Sequence, residues 1–295
     1  MQPDRGQLRA LVRGAYDLQK LRIMMGARIF ANFRAKLGLD SSQDQEEDAD
    51  ADVIINALKE EYKLLTEGIS RSRRLPDPKT FKGNQIIATY AELVLVHNFL
   101  EMLKRETAMF RDFEAVLEEF PIYTTWLRDI RGVGPAMAGV ILSEIDIGRS
   151  TYPSTIWKFS GLDVADDGRG RSKRKEHLVT RAYKDGDGND AERQGITYNP
   201  WLKTKLLGVL GGSFMRTGSP YADVYYGYKN RITQREAGNA EWSKGRIHRA
   251  AIRYMVKIFL LDLHKEWRKI EGLPVSVSYH EGKLGHVHHT DRKAA

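Results

Sequence analysis

The sequence predicts an all-α protein, with a long helical coiled-coil or hairpin region followed by a compact helical domain. Three observations predict it. Apolar residues recur at steps of three and four over most of the chain, the spacing of one helix face. Proline and glycine break these runs at separated points, most sharply in "IRGVGPAMAGVIL", residues 130–142. The 295 residues are 41% hydrophobic, enough to bury a core, and contain no cysteine to staple a smaller one.

The first helix is expected from Leu8 to Leu37. Leu8, Leu11, Val12, Ala15, Leu18, Ile23 and Ile29 form its apolar face, Arg9, Arg13, Lys20, Arg22, Arg28 and Arg34 lie mostly off it, and Gly38 ends it. "DSSQDQEEDADAD", residues 40–52, holds acidic residues and almost nothing to bury. It reads as a solvated linker, with a carboxylate metal site as the alternative. A second helix is expected from Val53 to Arg73, stopped by the two prolines of "RLPDPKT". A third runs from Asn84 to Glu119 through Ile87, Tyr90, Leu93, Leu100, Leu103 and Met109, and Pro121 closes it. His97 in that run reads as a packed core histidine. Residues 1–120 thus form a helical region.

Residues 121–272 change character. Short helices alternate with glycine-rich turns to residue 150. Residues 159–199 read as loop, with "ADDGRGRSKRKE" and "KDGDGNDAERQG", and helices resume at Trp201–Phe214, Tyr221–Arg235 and Lys244–Ile270. Residues 273–295 have no periodicity and read as a mobile tail. Its His280, His286, His288 and His289 are better explained by composition than by a metal site. "DGDGND", residues 185–190, lacks the glycine and glutamate of a calcium loop and reads as a turn.

Charge narrows the function. The net charge is +8 and the pI about 9.4, a balance that favours a polyanionic partner. The absence of cysteine excludes thiolate metal sites and cysteine nucleophiles, and it suits a reducing, cytoplasmic compartment. No apolar run is long enough to span a membrane. Neither a Walker loop nor a dinucleotide fingerprint is present.

Three features point at nucleic acid. In "WLRDIRGVGPAMAGVILSEI", Leu127 and Ile130 precede a turn at Gly132, Val133 and Gly134, and Pro135 opens the next helix, continued by Ala138, Ile141 and Leu142. This pattern resembles the helix-hairpin-helix motif of DNA-binding proteins, in which glycines admit a phosphate to the amides of the second helix. Arg131, Gly132, Val133 and Gly134 are its candidate contacts; a plain helical corner is the alternative. The second feature is the cluster Arg169, Arg171, Lys173, Arg174 and Lys175, which is either a phosphate contact or a solvated loop. The third is the last helix. Ile247, Ala250, Ala251, Tyr254, Ile258 and Leu261 define its buried face, and Arg246, Arg249, Arg253 and Lys257 recur beside it as a basic row without interleaved acid. Ion pairing of that row with Asp223, Glu236 or Glu241 is the alternative.

The order of blocks, "LRDIRGVGPAMAGVILSEI", "IWKFSGLDV", a basic loop, "GITYNPWLKTKLLGVLGG", "SPYADVYYGYKNR" and "KGRIHRAAIRYMVKIFLLDL", resembles the C-terminal domain of insertion-sequence transposases related to the Piv-type DNA invertases. "LRALVRGAYDLQKLRIMMGARIFANF" resembles the helix that follows that family's nuclease domain, so the resemblance runs from about residue 7 to about residue 270. It implies a compact helix-hairpin-helix-containing domain, DNA as partner, action in transposition or site-specific recombination of a mobile element, and attack on DNA through a serine. A structured guide RNA is a second candidate partner, and the helical region a candidate homo-oligomer interface.

Two departures shape these expectations. The family carries a RuvC-like domain with an acidic DEDD metal site, whereas this sequence opens on the helix. No cofactor is therefore expected in this chain, and a divalent metal only with a separate RuvC-like domain. The family serine sits in a Ser-Gly pair after a Gly-Leu turn. Here that turn is Gly161-Leu162, Arg169-Gly170 occupies the nearest equivalent, and Ser172 follows, surrounded by cations that would stabilise an alkoxide. Ser172 is the one candidate nucleophile, and whether the chain is an enzyme stays open. The alternatives are a non-catalytic nucleic-acid-binding protein derived from a transposase and a helical interaction protein without nucleic acid.

Overall fold

Helix boundaries in the computed structural model, which describes residues 4–38, 47–69, 75–236 and 242–275, follow apolar spacing and capping chemistry. The protein is mostly helical, with one small two-stranded antiparallel hairpin, so it is not strictly all-α. It divides into two compact units. One holds Ala10–Phe113; the other holds the residues from Glu114 onward together with the first turn of the first helix, up to Arg9.

The first unit is built from α1 (Arg5–Phe33), α2 (Glu47–Leu65) and α3 (Tyr90–Leu117). Ile29 and Phe33 of α1, Ile54 and Leu58 of α2, and Leu93, Val96 and Phe99 of α3 close a core with Ile87. The start of α3 is set by a capping box. Thr89 Oγ1 accepts the Glu92 N–H (3.2 Å), while the Glu92 carboxylate accepts the amides of Ala88 (2.9 Å) and Thr89 (3.1 Å). This signal places the helix start six residues later than the expected Asn84. The buried Glu106 is offset by Arg22 and by Gln19, whose amide donates at 3.0 Å. His97 is half-buried and not a core residue, its Nδ1 lying 2.7 Å from the Tyr62 hydroxyl.

Three expectations for this unit need correction. Leu11 and Ile23 are exposed, by 38% and 55%, and do not belong to the buried face of α1. α2 stops at Leu65, not Arg73. The second half of the acidic run is not linker: residues 47–52 are the opening turns of α2. Residues 40–46 of that run lie outside the described residues, as do residues 39 and 70–74.

The second unit contains α4 (Pro121–Thr125), a 3-10 turn (Leu127–Asp129), α5 (Pro135–Glu144), α6 (Pro153–Phe159), strands β1 (Val179–Lys184) and β2 (Asp190–Gly195), α7 (Pro200–Thr204), a π-helical segment (Lys205–Leu210), α8 (Gly211–Thr217), α9 (Pro220–Glu236) and α10 (Lys244–Ile270). Proline opens α4, α5, α6 and α7, where its missing N–H has no partner to lose. α5 is buried from Met137 to Glu144, and the second half of α10 is buried nearly all round. Phe214, Tyr221 and Phe259 meet at ring centroid distances of 5.0–5.4 Å, and Trp126 stacks on Phe259 at 6.0 Å. The buried Arg268 donates to the carbonyls of Ile147 (3.0 Å) and Ser150 (3.1 Å), fixing the turn between α5 and α6.

The β1–β2 hairpin corrects the loop reading of residues 159–199. Its register runs from Val179 opposite Gly195 to Lys184 opposite Asp190. Asp185 Oδ1 closes the turn by accepting the amides of Asp187 (3.0 Å) and Asn189 (2.9 Å), in keeping with the turn read in "DGDGND". Both strands are almost wholly exposed, so neither shows the alternation by which a half-buried strand is recognised. Residues 276–295, with the four tail histidines, lie outside the described residues. Among the described residues no helix is long and apolar enough to cross a membrane.

At the corner between the 3-10 turn and α5, Gly132 has φ +95° and presses on α8. A β-carbon there would stand 2.8 Å from Phe214 Cδ1 and 3.0 Å from Thr217 Oγ1. Gly132→Ala combines left-handed strain with a clash and is expected to destabilise the fold by on the order of 3 kcal/mol, read as a lower urea midpoint at unchanged slope.

Candidate nucleic-acid interface

The basic loop folds back on itself before it reaches Ser172. Ala165 N–H donates to Arg169 O (2.8 Å), Gly168 N–H to Ala165 O (3.0 Å), and Arg171 N–H to Asp163 O (3.1 Å). Asp167 Oδ1 accepts the Arg169 amide (2.9 Å). Chiefly through that amide, and also through His177, its carboxyl is held below the usual range. A 3-10 turn at Lys175–His177 then buries the His177 ring, which is 2% exposed.

Behind this loop the structure gathers cations around one carboxylate. Asp163 Oδ2 accepts from Arg171 Nε (3.0 Å) and Nη2 (2.8 Å). Lys203 Nζ donates to the Arg171 carbonyl, and its ammonium stands 4.7 Å from the Tyr198 ring centroid. The Arg253 guanidinium seats against Gly170 so closely that a β-carbon at Gly170 would lie 2.0 Å from Arg253 Nη2. Lys257 Nζ lies 4.3 Å from the Trp157 ring centroid, and the Trp157 indole N–H donates to Lys257 O (3.1 Å).

The electrostatics of the cluster are unbalanced. Burial and then the Arg253 charge push the Lys203 ammonium down to about 8, against a partial counter-pull from Asp163. Burial and then Arg253 also lower Lys257, and burial lowers Arg253. Arg253 Nε and Asp163 Oδ1 are buried without a hydrogen-bond partner among the described residues. Four cations thus share one carboxylate. Unpaired buried polar groups and like charges are costly, and an anion bound between them would relieve both costs.

The remaining candidates are placed as follows. Arg246 lies over the Trp242 ring at 4.0 Å, and Arg249 is exposed. None of Arg246, Arg249, Arg253 and Lys257 forms an ion pair with a carboxylate among the described residues. Glu241 and the side chain of Glu236 lie outside them. Arg169, Lys173, Arg174 and Lys175 are exposed around Ser172. At the corner, Arg131 and Gly134 are exposed, while Val133 is buried and Gly132 accepts the Ser213 hydroxyl at its carbonyl (2.8 Å). Pro135 has no N–H, and the amides of Met137 and Ala138 both close on Gly134 O at 3.0 Å. The corner therefore offers an anion few amides, and the structure concentrates positive charge at the loop and α10 instead.

Sequence reasoning missed Asp163, Lys203, Trp157, Asp167 and His177. A usable signal existed for the last two: Asp167, Ser172 and His177 are spaced five residues apart in one loop, and His177 is its one histidine. Asn199 places Lys203. Its side chain accepts the Leu202 amide (3.0 Å) to cap α7 and donates to the buried Glu144 (2.6 Å). Comparison with family models, with curated proteins and with solved structures gave no match.

The depressed Lys203 makes stability pH-dependent. Between pH 8 and the unfolded value of 10.5 the unfolded chain binds more protons at this residue, so its contribution to stability rises with pH over that window and is flat below it. For a partly exposed amine the gain is on the order of 1–2 kcal/mol. Denaturation series at pH 7.5 and 10 should show this gain in the wild type and lose it in Lys203→Met.

Proposed function

We propose that this chain is a nucleic-acid-binding protein of the transposase or site-specific recombinase type, holding DNA by its phosphate backbone. The observation that carries the reading is the cation cluster of Arg171, Lys203, Arg253 and Lys257 around Asp163. Its positive charge exceeds what the fold neutralises, and it adjoins the exposed Arg169, Lys173, Arg174 and Lys175. Such a surface attracts a polyanion through released counterions and positions its backbone without reading bases. Arg249 extends it along α10.

The finer architectural readings belong to the same proposal: a helix-hairpin-helix over Leu127–Glu144 and a coiled-coil character for α1 to α3. Supporting the first is the glycine-bent corner with exposed Arg131 and Gly134. For the second, the long α1 and α3 are suggestive, although the helices of the first unit spend much of their apolar surface on one another. The family's acidic domain would bring divalent metal. Among the described residues no group of three or more histidine, aspartate or glutamate side chains is placed to hold a metal ion, so no step through a metal is derived for this chain.

A second reading is a binder derived from a transposase, in which Ser172 serves the loop alone. It is favoured by the Arg174 N–H bond to Ser172 Oγ (3.3 Å), a local turn that needs no chemistry.

Titration of a duplex and of a structured RNA at two salt concentrations tests the reading. The wild type should bind and weaken steeply as salt rises. Arg249→Gln, at an exposed position, should flatten the log–log salt slope by about 1 without moving the unfolding midpoint, and Arg253→Gln, which removes a buried charge, should flatten it as well with a greater loss of affinity. Binding that ignores salt and both substitutions would leave the helical interaction protein as the better account.

A further inference from the structure

We propose that Ser172, His177 and Asp167 form a nucleophile-activating triad, with a phosphodiester as substrate. Ser172 Oγ lies 2.9 Å from His177 Nδ1. His177 Nε2 lies 3.1 Å from Asp167 Oδ2. The imidazole is thus held between a hydroxyl and a carboxylate, the roles by which such triads are recognised irrespective of chain order. Here the ring is reversed relative to the serine-protease arrangement, since Nδ1 faces the nucleophile.

The backbone fixes the tautomer. The Ser172 amide N–H also points at Nδ1, at 3.0 Å, and an N–H can only donate. Nδ1 therefore carries its one in-plane lone pair, shared between the amide N–H and the hydroxyl, and Nε2 carries the proton that Asp167 accepts. This is the tautomer a general base needs. The Arg174 N–H donating to Ser172 Oγ at 3.3 Å occupies an oxygen lone pair and leaves the hydroxyl proton to point at Nδ1. The ring is buried while Ser172 is partly exposed, so a substrate reaches the oxygen and solvent hardly reaches the base. Asp167 is a positioning residue, because it acts through His177.

The chemistry balances without an added redox or metal reactant. As Ser172 Oγ bonds to phosphorus, its proton passes to His177 Nδ1. The bond from phosphorus to the leaving deoxyribose oxygen breaks, and that oxygen takes a proton from solvent. The result is a phosphoserine diester, an imidazolium that returns its proton to solvent, and a free hydroxyl end. Reversal rejoins the strand. Exposed cations around the loop offset the charge that builds on the phosphoryl oxygens.

The choice of phosphodiester rests on the nucleic-acid reading, whereas the activation of the hydroxyl does not. The test separates them. The full chain is treated with an alkyl fluorophosphonate, which exchanges its P–F bond for a P–O bond at an activated serine, and the modified peptide is identified by mass spectrometry. Ser172 should be labelled. His177→Gln, which keeps an acceptor for the Ser172 amide, should slow labelling about 100-fold or more, and Asp167→Asn should slow it markedly. Imidazole added to His177→Ala should restore part of the rate, which a purely structural histidine would not allow. Circular dichroism and the urea unfolding midpoint check that each variant is folded. In parallel, a nicked duplex that traps the intermediate should yield a covalent adduct on Ser172.

Ser172 labelled no faster than the other serines, or labelled equally in His177→Gln, overturns the triad and leaves the binding reading intact. Labelling of Ser172 in a chain that does not bind duplex overturns the phosphodiester assignment and the nucleic-acid reading together, while the activated serine stands.

Discussion

The second unit depends on how Asp163 shares its charge. Its carboxylate takes two bonds from Arg171 and, with the Arg171 amide on its own carbonyl, clamps the two ends of the 163–171 loop together. Arg253 from α10 and Lys203 from α7 approach the same region, yet neither bonds to that carboxylate. Instead Arg171 holds the carboxylate and the other cations face each other, which is why burial and mutual repulsion both act on Lys203. On the proposed function a phosphate would complete this arrangement, because one phosphate can meet several donors at once.

α10 supplies both the platform and the charge. Its C-terminal half, from Met255 to Trp267, is core, with Val256, Phe259, Leu260, Leu261 and Leu263 buried on several sides. Its N-terminal half is amphipathic and carries the basic row. The change of character falls near Arg253 and Lys257, so these two are held on a rigid stem while their heads reach a surface. Aromatic faces finish the job: Trp157 under Lys257 and Tyr198 under Lys203 stabilise ammonium groups that have no carboxylate partner among the described residues.

Much of this fold is legible in the sequence where one physical rule dominates. The bounds of α10 follow from spacing and a serine cap, with Ser243 accepting the Arg246 amide. The basic row without interleaved acid predicts cations that find no described ion-pair partner. The misses come from competing rules. Thr89 and Glu92 override a periodicity that starts earlier, and the acidic residues from Glu47 to Asp52 are read as solvated linker because their charge hides their suitability for a helix start. The β hairpin buries neither face, so no pattern betrays it. His177 and Asp167 are placed by tertiary folding of a polar loop, and only their five-residue spacing about Ser172 and the lone histidine mark them in the sequence.

The two candidate phosphate grips differ in physics. A corner grip relies on free amides and the helix dipole, and at Gly132–Ala138 the left-handed glycine is packed under α8 while two amides are already bonded within the first turn. The side-chain grip relies on guanidinium and ammonium groups that are present whether or not the corner is open. Amides displace few counterions from nucleic acid, whereas cations displace roughly one each, so the two grips leave different salt signatures. They also differ in proton linkage. Binding an anion beside Lys203 restores its ammonium, so a complex formed near pH 8 takes up a proton and weakens as pH rises further, because the free protein then holds the neutral amine. An amide grip has no titrating group and would show neither dependence. On the proposed reading, the asymmetry between a largely satisfied corner and an unsatisfied cation cluster favours the side-chain grip over the amide grip.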